Sequence, residues 1–295
     1  MYTRHEFYVA LQNEVSEITG KSVELIEAVK ENDSVLHGLT VNIGERLHPI
    51  IYIDRYYFDD IDDADVSFIA EEISNIFLSE PDERVLTWSS QLSDNLINCI
   101  KNSKLRVLNK KRNEHFLEEI VYREFLDLAV FCYVPIDERA SVRVTHKLLT
   151  HIGISEDELF DIALANTCED CKFISMNAIM RELLNKKSTG DRDEFDFNGI
   201  PDEMFVLTTH SNKYGASLLT CPNILDSIGA KYGSYYVLPS SIHECIILVN
   251  EQHDARDLLG MVKQVNSTEV SADEILTDAV YYYDAIRKEI SIAAK

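Results

Sequence analysis

The apolar side chains of this chain change repeatedly between helical and strand spacing, and no other feature restricts the fold as strongly. Between residues 4 and 19 they recur every three or four positions, at Phe7, Leu11, Val15 and Ile18. This spacing predicts one buried helical face, and Gly20 is placed to end the helix. Between residues 38 and 43 the apolar positions alternate instead, at Leu39, Val41 and Ile43, which predicts a half-buried strand.

The same reasoning divides the rest of the chain into groups of strands and groups of helices. Strands are predicted at 22–29, 38–43, 48–53, 125–134, 140–149, 204–209, 216–220, 234–238 and 243–249. Further helices are predicted at 62–78, over most of 84–124, and at 155–166, 174–184, 222–230, 254–265 and 273–290. Segregated strands and helices are typical of α+β proteins, so we expect mixed, mainly antiparallel sheets with covering helices.

The chain length and the position of a polar, glycine-containing loop predict two lobes. A chain of 295 residues is long enough for one large domain or two ordinary ones. We expect an N-terminal lobe at 1–115, made of a helix, a three-stranded meander and further helices. A C-terminal α+β lobe is expected at 116–295, and it contains a polar loop at 186–202 with Gly190 and Gly199.

The chain is strongly acidic, with 51 Asp and Glu residues against 28 Lys and Arg residues and a formal net charge of −23. Such a field repels nucleic-acid phosphates and anionic lipid headgroups, so direct nucleic-acid binding and membrane association are not expected. The densest basic stretch, 101–112, is interpreted as a solvated helix or loop. A phosphate-binding patch is the alternative interpretation of this stretch.

The sequence has none of the features of a secreted or membrane-spanning protein. It begins Met1-Tyr2-Thr3 without a basic segment that leads into an apolar one, so no signal peptide is expected. Its apolar runs, such as 128–134, are too short to span a bilayer. The six cysteines lie mostly in apolar contexts, and we expect a cytoplasmic protein with reduced thiols.

No metal or cofactor is expected. Cys168 and Cys171 form a single Cys-x-x-Cys pair, whereas a structural zinc site needs about four ligands. The histidines His146 and His151 lie upstream of a predicted helix, so a zinc site or a redox dithiol is the less favoured alternative. His243 lacks the second histidine of a zinc-protease helix, and the glycine-rich loops of nucleotide-binding folds are absent from the sequence.

A polar segment, Ser240-Ser241-Ile242-His243-Glu244, lies between two predicted strands. Serine hydroxyls can satisfy free backbone groups, so the segment is interpreted first as a turn and second as a ligand or partner contact. Ser241 and His243 share one face of an extended chain, but their Cα atoms would be about 6.5–7 Å apart. Glu244 would point to the opposite face and cannot orient the imidazole, so no catalytic residue is assigned.

Topology brings a second polar loop towards this turn. A predicted hairpin over 204–220 carries Asn212 and Tyr214 at its tip. The helix 222–230 then returns the chain to the start of the next hairpin, over 234–249, because about eight helical residues span roughly 12 Å. Both tips are therefore expected at one end of the second lobe. Polar loops on a rigid sheet often carry binding residues, and the candidates are Asn212, Tyr214, Ser240, Ser241, His243 and Glu244.

Six segments spread over most of the chain share a pattern with one family. They read "KENDSVLHGLTV" (30–41), "HPIIYID" (48–54), "ISEDELFDIALANT" (154–167), "MFVLTTHSNKYGASLL" (204–219), "YYVLPSSIHECIIL" (235–248) and "ILTDAVYYYD" (275–284). Together they resemble the bacterial family catalogued as domain of unknown function 5688, which is typical of anaerobic gut bacteria and their mobile elements. That family tends to Thr-Asn where this chain has Thr208-Thr209. The resemblance implies a cytoplasmic bacterial protein and brings no known activity, cofactor or catalytic residue.

The sequence therefore favours a non-enzymatic binding or regulatory module with an unknown protein or small-molecule partner. The reason is that its motifs yield no complete catalytic set. The alternative is a hydrolase-like enzyme that uses Ser240 or Ser241 with His243.

Overall fold

The computed structural model describes residues 1–41, 50–79, 99–135, 141–187, 203–239, 241–249 and 252–295. The chain falls into two compact units, 1–96 and 97–295. Ser240, most of the predicted polar loop 186–202 and part of the predicted helical stretch 84–124 lie outside the described residues. Within the described ranges, no helix is both long enough and apolar enough to cross a bilayer.

In the described part of the first unit, two helices pack against a three-stranded antiparallel sheet. The helices are α1 (Arg4–Thr19) and α2 (Asp63–Leu78), and the strands are β1 (Val23–Val29), β2 (Val35–Val41) and β3 (Ile50–Tyr52). Thr3 and Glu6 form a capping box at the start of α1, and Asp62 and Asp65 form one at the start of α2. These side chains satisfy free N–H groups of the first turn. The predicted helices at 4–19 and 62–78 are confirmed, and so is the meander within the described residues, since 42–49 lie outside them.

The first sheet of the second unit has four strands, and its strand β6 pairs with the other three. The strands are β4 (Lys104–Asn109), β5 (Tyr122–Phe125), β6 (Leu128–Pro135) and β7 (Ser141–Arg143), and a short helix α3 (Glu114–Leu117) precedes β5. β4 pairs with β6, so this strand lies in the second unit, whereas the sequence-based boundary at 115 places it in the N-terminal lobe.

The second sheet has six strands in the order β13-β12-β10-β11-β9-β8. They are β8 (Cys171–Ser175), β9 (Met204–Thr209), β10 (Tyr235–Leu238), β11 (Cys245–Leu248), β12 (Val280–Asp284) and β13 (Glu289–Ala294). Besides α3, the described helices of this unit are α4 (His146–Ile152), α5 (Glu156–Glu169), α6 (Met176–Lys187), α7 (Pro222–Tyr232) and α8 (Ala255–Thr268). All strand pairs among the described residues are antiparallel, and the α+β class is confirmed.

Two stretches with predicted helices contain strands instead. The described part of 84–124 contains β4, the short helix α3 and most of β5, and 273–290 contains β12 and the start of β13. Short apolar runs fit a helical or a strand period almost equally well, so spacing alone does not separate them. In the second case, pairing of β12 with β10 and β13 selects the strand, and Tyr281 and Tyr283, which are 0% and 1% exposed, alternate with a less buried residue.

Two predicted strands are largely helical. Residues 216–220 lie within a 3₁₀ helix, Gly215–Thr220. The hydroxyl groups of Ser217 and Thr220 donate to carbonyls three residues earlier, and such local hydrogen bonds compete with strand pairing. The predicted strand at 140–149 is extended in β7 and then turns into α4.

A buried carboxylate connects the two sheets of the second unit. Asp127, in the turn between β5 and β6, accepts hydrogen bonds from Tyr281 Oη at 2.5 Å and Thr277 Oγ1 at 2.7 Å. Lys295 Nζ lies 3.2 Å away, and 9% of the Asp127 side chain is exposed. Burial opposes ionisation, but these three donors outweigh it and hold the pKa of Asp127 below its usual value.

Cys168 and Cys221 form a disulfide, so the expectation of reduced thiols is wrong for this pair. Cys168 lies in the last turn of α5 and Cys221 directly precedes α7. The bond therefore joins two segments that are 53 residues apart in sequence. The free thiols are Cys99, Cys132, Cys171 and Cys245.

Candidate functional site

A cavity of about 580 Å³ opens in the second unit beside β4. This volume lies within the range of small-molecule sites. We call the cavity the Arg106 cleft. Its wall is formed by Lys104, Leu105, Arg106, Tyr133, Pro135, Ser141, Thr167, Asp170, Thr209, Ser211, Lys213, Tyr214 and Ser217.

Arg106 is a buried cation, with 9% of the residue exposed. Its guanidinium carbon lies 4.0 Å from the ring centroid of Tyr133 and 3.6 Å from that of Tyr214. Nη2 donates to Ser141 Oγ at 3.0 Å. The pairing of Lys104 with Tyr133 places this ring diagonally opposite Arg106 in the sheet. Cation–π contacts on both rings therefore orient the guanidinium plane.

Lys104 lies two residues before Arg106 in β4, so both side chains project from the same face of the sheet. Its Nζ is 2.7 Å from Asp170 Oδ2, and Asp170 Oδ1 accepts from the His210 backbone N–H at 3.1 Å. Burial opposes ionisation of Asp170, but hydrogen bonds from Lys104 and His210 outweigh it and hold its pKa below the usual value. This carboxylate stays ionised near neutral pH and connects β4 to the loop after β9.

The loop after β9 is held by its own hydroxyl groups. Thr209 Oγ1 donates to the carbonyl of Lys213 at 2.8 Å and accepts from the Lys213 N–H at 3.1 Å. Ser217 Oγ donates to the carbonyl of Tyr214 at 2.7 Å. Asn212 and Tyr214 have φ angles of 55° and 58°, a left-handed conformation that costs free energy for residues other than glycine. The surrounding hydrogen bonds therefore hold a strained loop against the guanidinium.

The turn between β10 and β11 contacts this loop through His243. Nδ1 of His243 accepts from the Tyr214 N–H at 3.2 Å, and the two rings are 5.2 Å apart. The His243 carbonyl accepts from the Gly215 N–H at 2.8 Å and from Thr208 Oγ1 at 2.9 Å. An N–H can only donate, so Nδ1 carries no proton and Nε2 donates towards Glu274 Oε1, 3.2 Å away.

Ser241 does not form a nucleophile–base pair with His243. Its Oγ accepts from the backbone N–H of His243 at 3.0 Å, and the residue is 6% exposed. Both imidazole nitrogens contact other groups, the Tyr214 N–H and the Glu274 carboxylate. Ser241 therefore has the role of a turn residue in the described geometry, as the first interpretation of this segment holds.

The remaining candidates have separate positions. Asn212 Oδ1 accepts from Lys172 Nζ at 3.1 Å. Burial raises the pKa of Glu244, and Ser240 lies outside the described residues. The structure thus brings Tyr214 into contact with His243 of the turn. Among the candidates that the structure describes, Tyr214 is the one that lines the Arg106 cleft.

The residues that carry most of the positive charge of the cleft are missing from the sequence-based candidates. Lys104 and Arg106 fall in the basic stretch interpreted as a solvated helix or loop. Their spacing of two residues is the sequence signal that could reveal a shared site, because a strand places the side chains of such a pair on one face. Tyr133 and Thr209 enter the site through pairing between distant segments, which spacing does not reveal.

The model of one protein family matches residues 4–285. The chain belongs to DUF5688, a family of unknown function. The family resemblance of the quoted segments is thereby confirmed, and membership of DUF5688 specifies no activity or ligand. Comparison with curated proteins and with solved structures gave no significant match. In the part of this DUF5688 chain that the structure describes, no group of three or more His, Cys, Asp or Glu side chains is arranged to hold a metal ion.

Proposed function

We propose that this DUF5688 chain is a non-enzymatic binding module that holds a small ligand bearing a phosphate or carboxylate group in the Arg106 cleft. The observation that carries the proposal is the buried guanidinium, which lies over two tyrosine rings in the wall of a cavity of about 580 Å³. A guanidinium presents its N–H groups as a planar fork that matches carboxylate and phosphate oxygens. The ring contacts hold this fork in one orientation, which reduces the entropy lost on binding.

The charge of the cleft supports an anionic ligand. Among its described lining residues, Lys104, Arg106 and Lys213 are cations and Asp170 is the carboxylate. This excess of positive charge lies within a chain of net charge −23, so it attracts anions locally. Ser141 Oγ accepts from Arg106 Nη2, so its own O–H adds a hydrogen-bond donor to the wall, whereas the hydroxyls of Thr209 and Ser217 already donate to backbone carbonyls.

The geometry of His243 favours binding over hydrolysis. A serine nucleophile needs a base within about 2.6–3.2 Å of its hydroxyl. The imidazole nitrogens of His243 instead contact the Tyr214 N–H and Glu274. The binding role therefore has more support than the hydrolase-like role of Ser240 or Ser241. A cytoplasmic location, which the family resemblance implies, is part of the same proposal.

Titration calorimetry with inorganic phosphate and with citrate, at low ionic strength, tests the proposal. We expect at least one of the two anions to bind, with an affinity that falls as NaCl is added, because salt screens the attraction. Arg106→Gln is expected to weaken binding by about 10- to 100-fold, since a hydrogen bond to a charged group contributes roughly 1.5–3 kcal/mol.

Arg181→Gln is the matched control, because it removes the same charge from an exposed position on α6. This variant is expected to bind like the wild type, and thermal melts would establish that both variants are folded. The proposal fails if neither anion binds the wild type. It also fails if Arg106→Gln binds as tightly as Arg181→Gln.

A further inference from the structure

A second cavity, of about 480 Å³, gives access to the disulfide. Its wall includes Cys168, the free thiol Cys171 and Lys231. We propose that this cavity is a thiol-exchange site, at which a dithiol reductant opens the Cys168–Cys221 bond and thereby loosens the Arg106 cleft. The proposed thiol exchange depends on the geometry of this second cavity alone. The proposed effect of reduction on the Arg106 cleft rests on the proposed function.

The two sulfurs of the disulfide differ in their access to a reductant. Cys168 is partly buried and lines the cavity, whereas Cys221 is 0% exposed. Thiol–disulfide exchange begins with attack of a thiolate on a sulfur that it can reach. An incoming thiolate is therefore expected to attack Sγ of Cys168, and Cys221 is the leaving thiolate.

A dithiol completes the reaction without another reactant. The first attack breaks the bond between the two protein sulfurs and forms a mixed disulfide on Cys168, while the Cys221 thiolate takes up a proton. The second thiolate of the reductant then attacks the reductant sulfur of the mixed disulfide and releases Cys168, which is also protonated. The protein gains two electrons and two protons, and the dithiol is oxidised to a cyclic disulfide.

The neighbouring Cys171 is a poor internal nucleophile for this exchange. Burial and the adjacent Asp170 carboxylate raise the pKa of its thiol, so it holds little thiolate near neutral pH. An external thiolate meets both signs of charge in the wall, because Lys231 attracts it and Glu169 repels it. The attacking group is therefore expected to come from the reductant.

The disulfide links two walls of the Arg106 cleft. On one side, Cys168 follows Thr167, whose Oγ1 accepts from the Leu105 N–H of β4 at 2.8 Å. On the other side, Cys221 directly follows the 3₁₀ helix that carries Ser217. Thr167 and Ser217 both line the cleft. Reduction removes the covalent link between these walls, so they gain conformational freedom that ligand binding must then remove.

Differential alkylation tests the exchange. The protein, purified without reductant, is treated with dithiothreitol under native conditions, labelled with N-ethylmaleimide and mapped by mass spectrometry. We expect Cys168 to be labelled after this treatment and not before it. Cys132 and Cys245, both 0% exposed, are expected to stay unlabelled because the fold persists. Labelling of Cys168 without reductant, or only together with Cys132 and Cys245, would overturn the exchange site.

Anion titration of the oxidised and the reduced protein tests the coupling to the cleft. Reduction is expected to weaken binding of the anion that the wild type holds by about tenfold. The double variant Cys168→Ser/Cys221→Ser is expected to bind weakly with or without dithiothreitol, whereas Cys99→Ser, a free thiol outside both cavities, is expected to respond like the wild type.

The alkylation and the anion titration test two claims separately: thiol exchange at Cys168, and the coupling of the disulfide to anion binding in the cleft. Equal affinity of the oxidised and reduced wild type would overturn the coupling, while the alkylation result would still decide the exchange. An oxidised wild type that binds neither phosphate nor citrate would overturn the coupling together with the proposed function, and labelling of Cys168 would again decide the exchange independently.

Discussion

Replacement of Gly215 by alanine is expected to destabilise the protein by about 3 kcal/mol, the upper part of the range for overpacking a filled site. A Cβ atom at this position would lie 2.4 Å from Thr208 Cα and 2.6 Å from the carbonyl oxygen of His243. Both are backbone atoms, so relief requires movement of β9 or of the turn before β11. The Gly215 N–H also donates to that carbonyl at 2.8 Å, and the movement would lengthen this hydrogen bond.

Urea denaturation of Gly215→Ala, compared with Gly260→Ala, measures this effect. Gly260 lies in α8, and a Cβ atom there would meet nothing within 4 Å. Its substitution is expected to be neutral or to stabilise by up to about 1 kcal/mol, because alanine favours the helix. Equal stability of the two variants would show that the backbone around Gly215 accommodates a side chain. This result would contradict the close backbone packing described for the residue that follows Tyr214.

Asp127→Asn is expected to lower the free energy of unfolding by about 3 kcal/mol, as when one partner of a buried ionic group is removed. Tyr281, Thr277 and Lys295 all donate to this carboxylate. An asparagine amide has one acceptor oxygen and an NH₂ group that only donates, so it cannot satisfy all three. As a control, Glu124→Gln is expected to change stability little, because Glu124 pairs with Lys110 while 65% exposed.

The same carboxylate gives the stability a defined dependence on pH. The pKa of Asp127 is lower in the folded protein than its usual value, and an unfolded aspartate titrates near about 3.9. Its contribution is therefore present at neutral pH and is lost as the pH falls from about 5 through the folded pKa. Asp54 and Asp170 also have lowered pKa values, but their effects on stability are present in the wild type and in Asp127→Asn alike.

Urea unfolding of the wild type and Asp127→Asn over this pH range isolates the effect. The wild type is expected to lose stability more steeply than the variant as the pH falls, so the two curves converge at acidic pH. Curves that stay parallel would contradict the role assigned to Asp127.

Much of the first unit is predictable from the sequence because each element has its own period and its own end signals. Gly20 ends α1 in the left-handed conformation, with a φ of 65°, and Asp62 caps α2. In the second unit, the order of side chains in 281–283 is compatible with a helix or a strand, and long-range pairing selects the strand. Local patterns do not contain that information.

The candidate site was only partly predictable for the same reason. Tyr214 was recognisable as a residue of a polar loop on a sheet, and its contact with His243 joins the two predicted tips. The charge of the cleft depends on Lys104 and Arg106. Arg106 contacts the Tyr214 ring and Lys104 contacts Asp170, and both contacts join segments that are distant in sequence. Spacing along the chain predicts which residues share a face, but it does not predict which faces meet.

The strand order of the six-stranded sheet makes its assembly largely non-local. The pairs β10–β11 and β12–β13 join strands that are linked by a turn, whereas β9 pairs with β11 and β10 pairs with β12 across intervening helices. Such distant pairings carry loop-closure entropy that must be overcome before the new contacts stabilise the sheet. The wall of the Arg106 cleft combines residues of β4, β6, the end of α5 and the loop after β9. The proposed ligand binding would therefore require the completed assembly of the second unit, because a fragment without any one of these segments lacks part of the cleft wall.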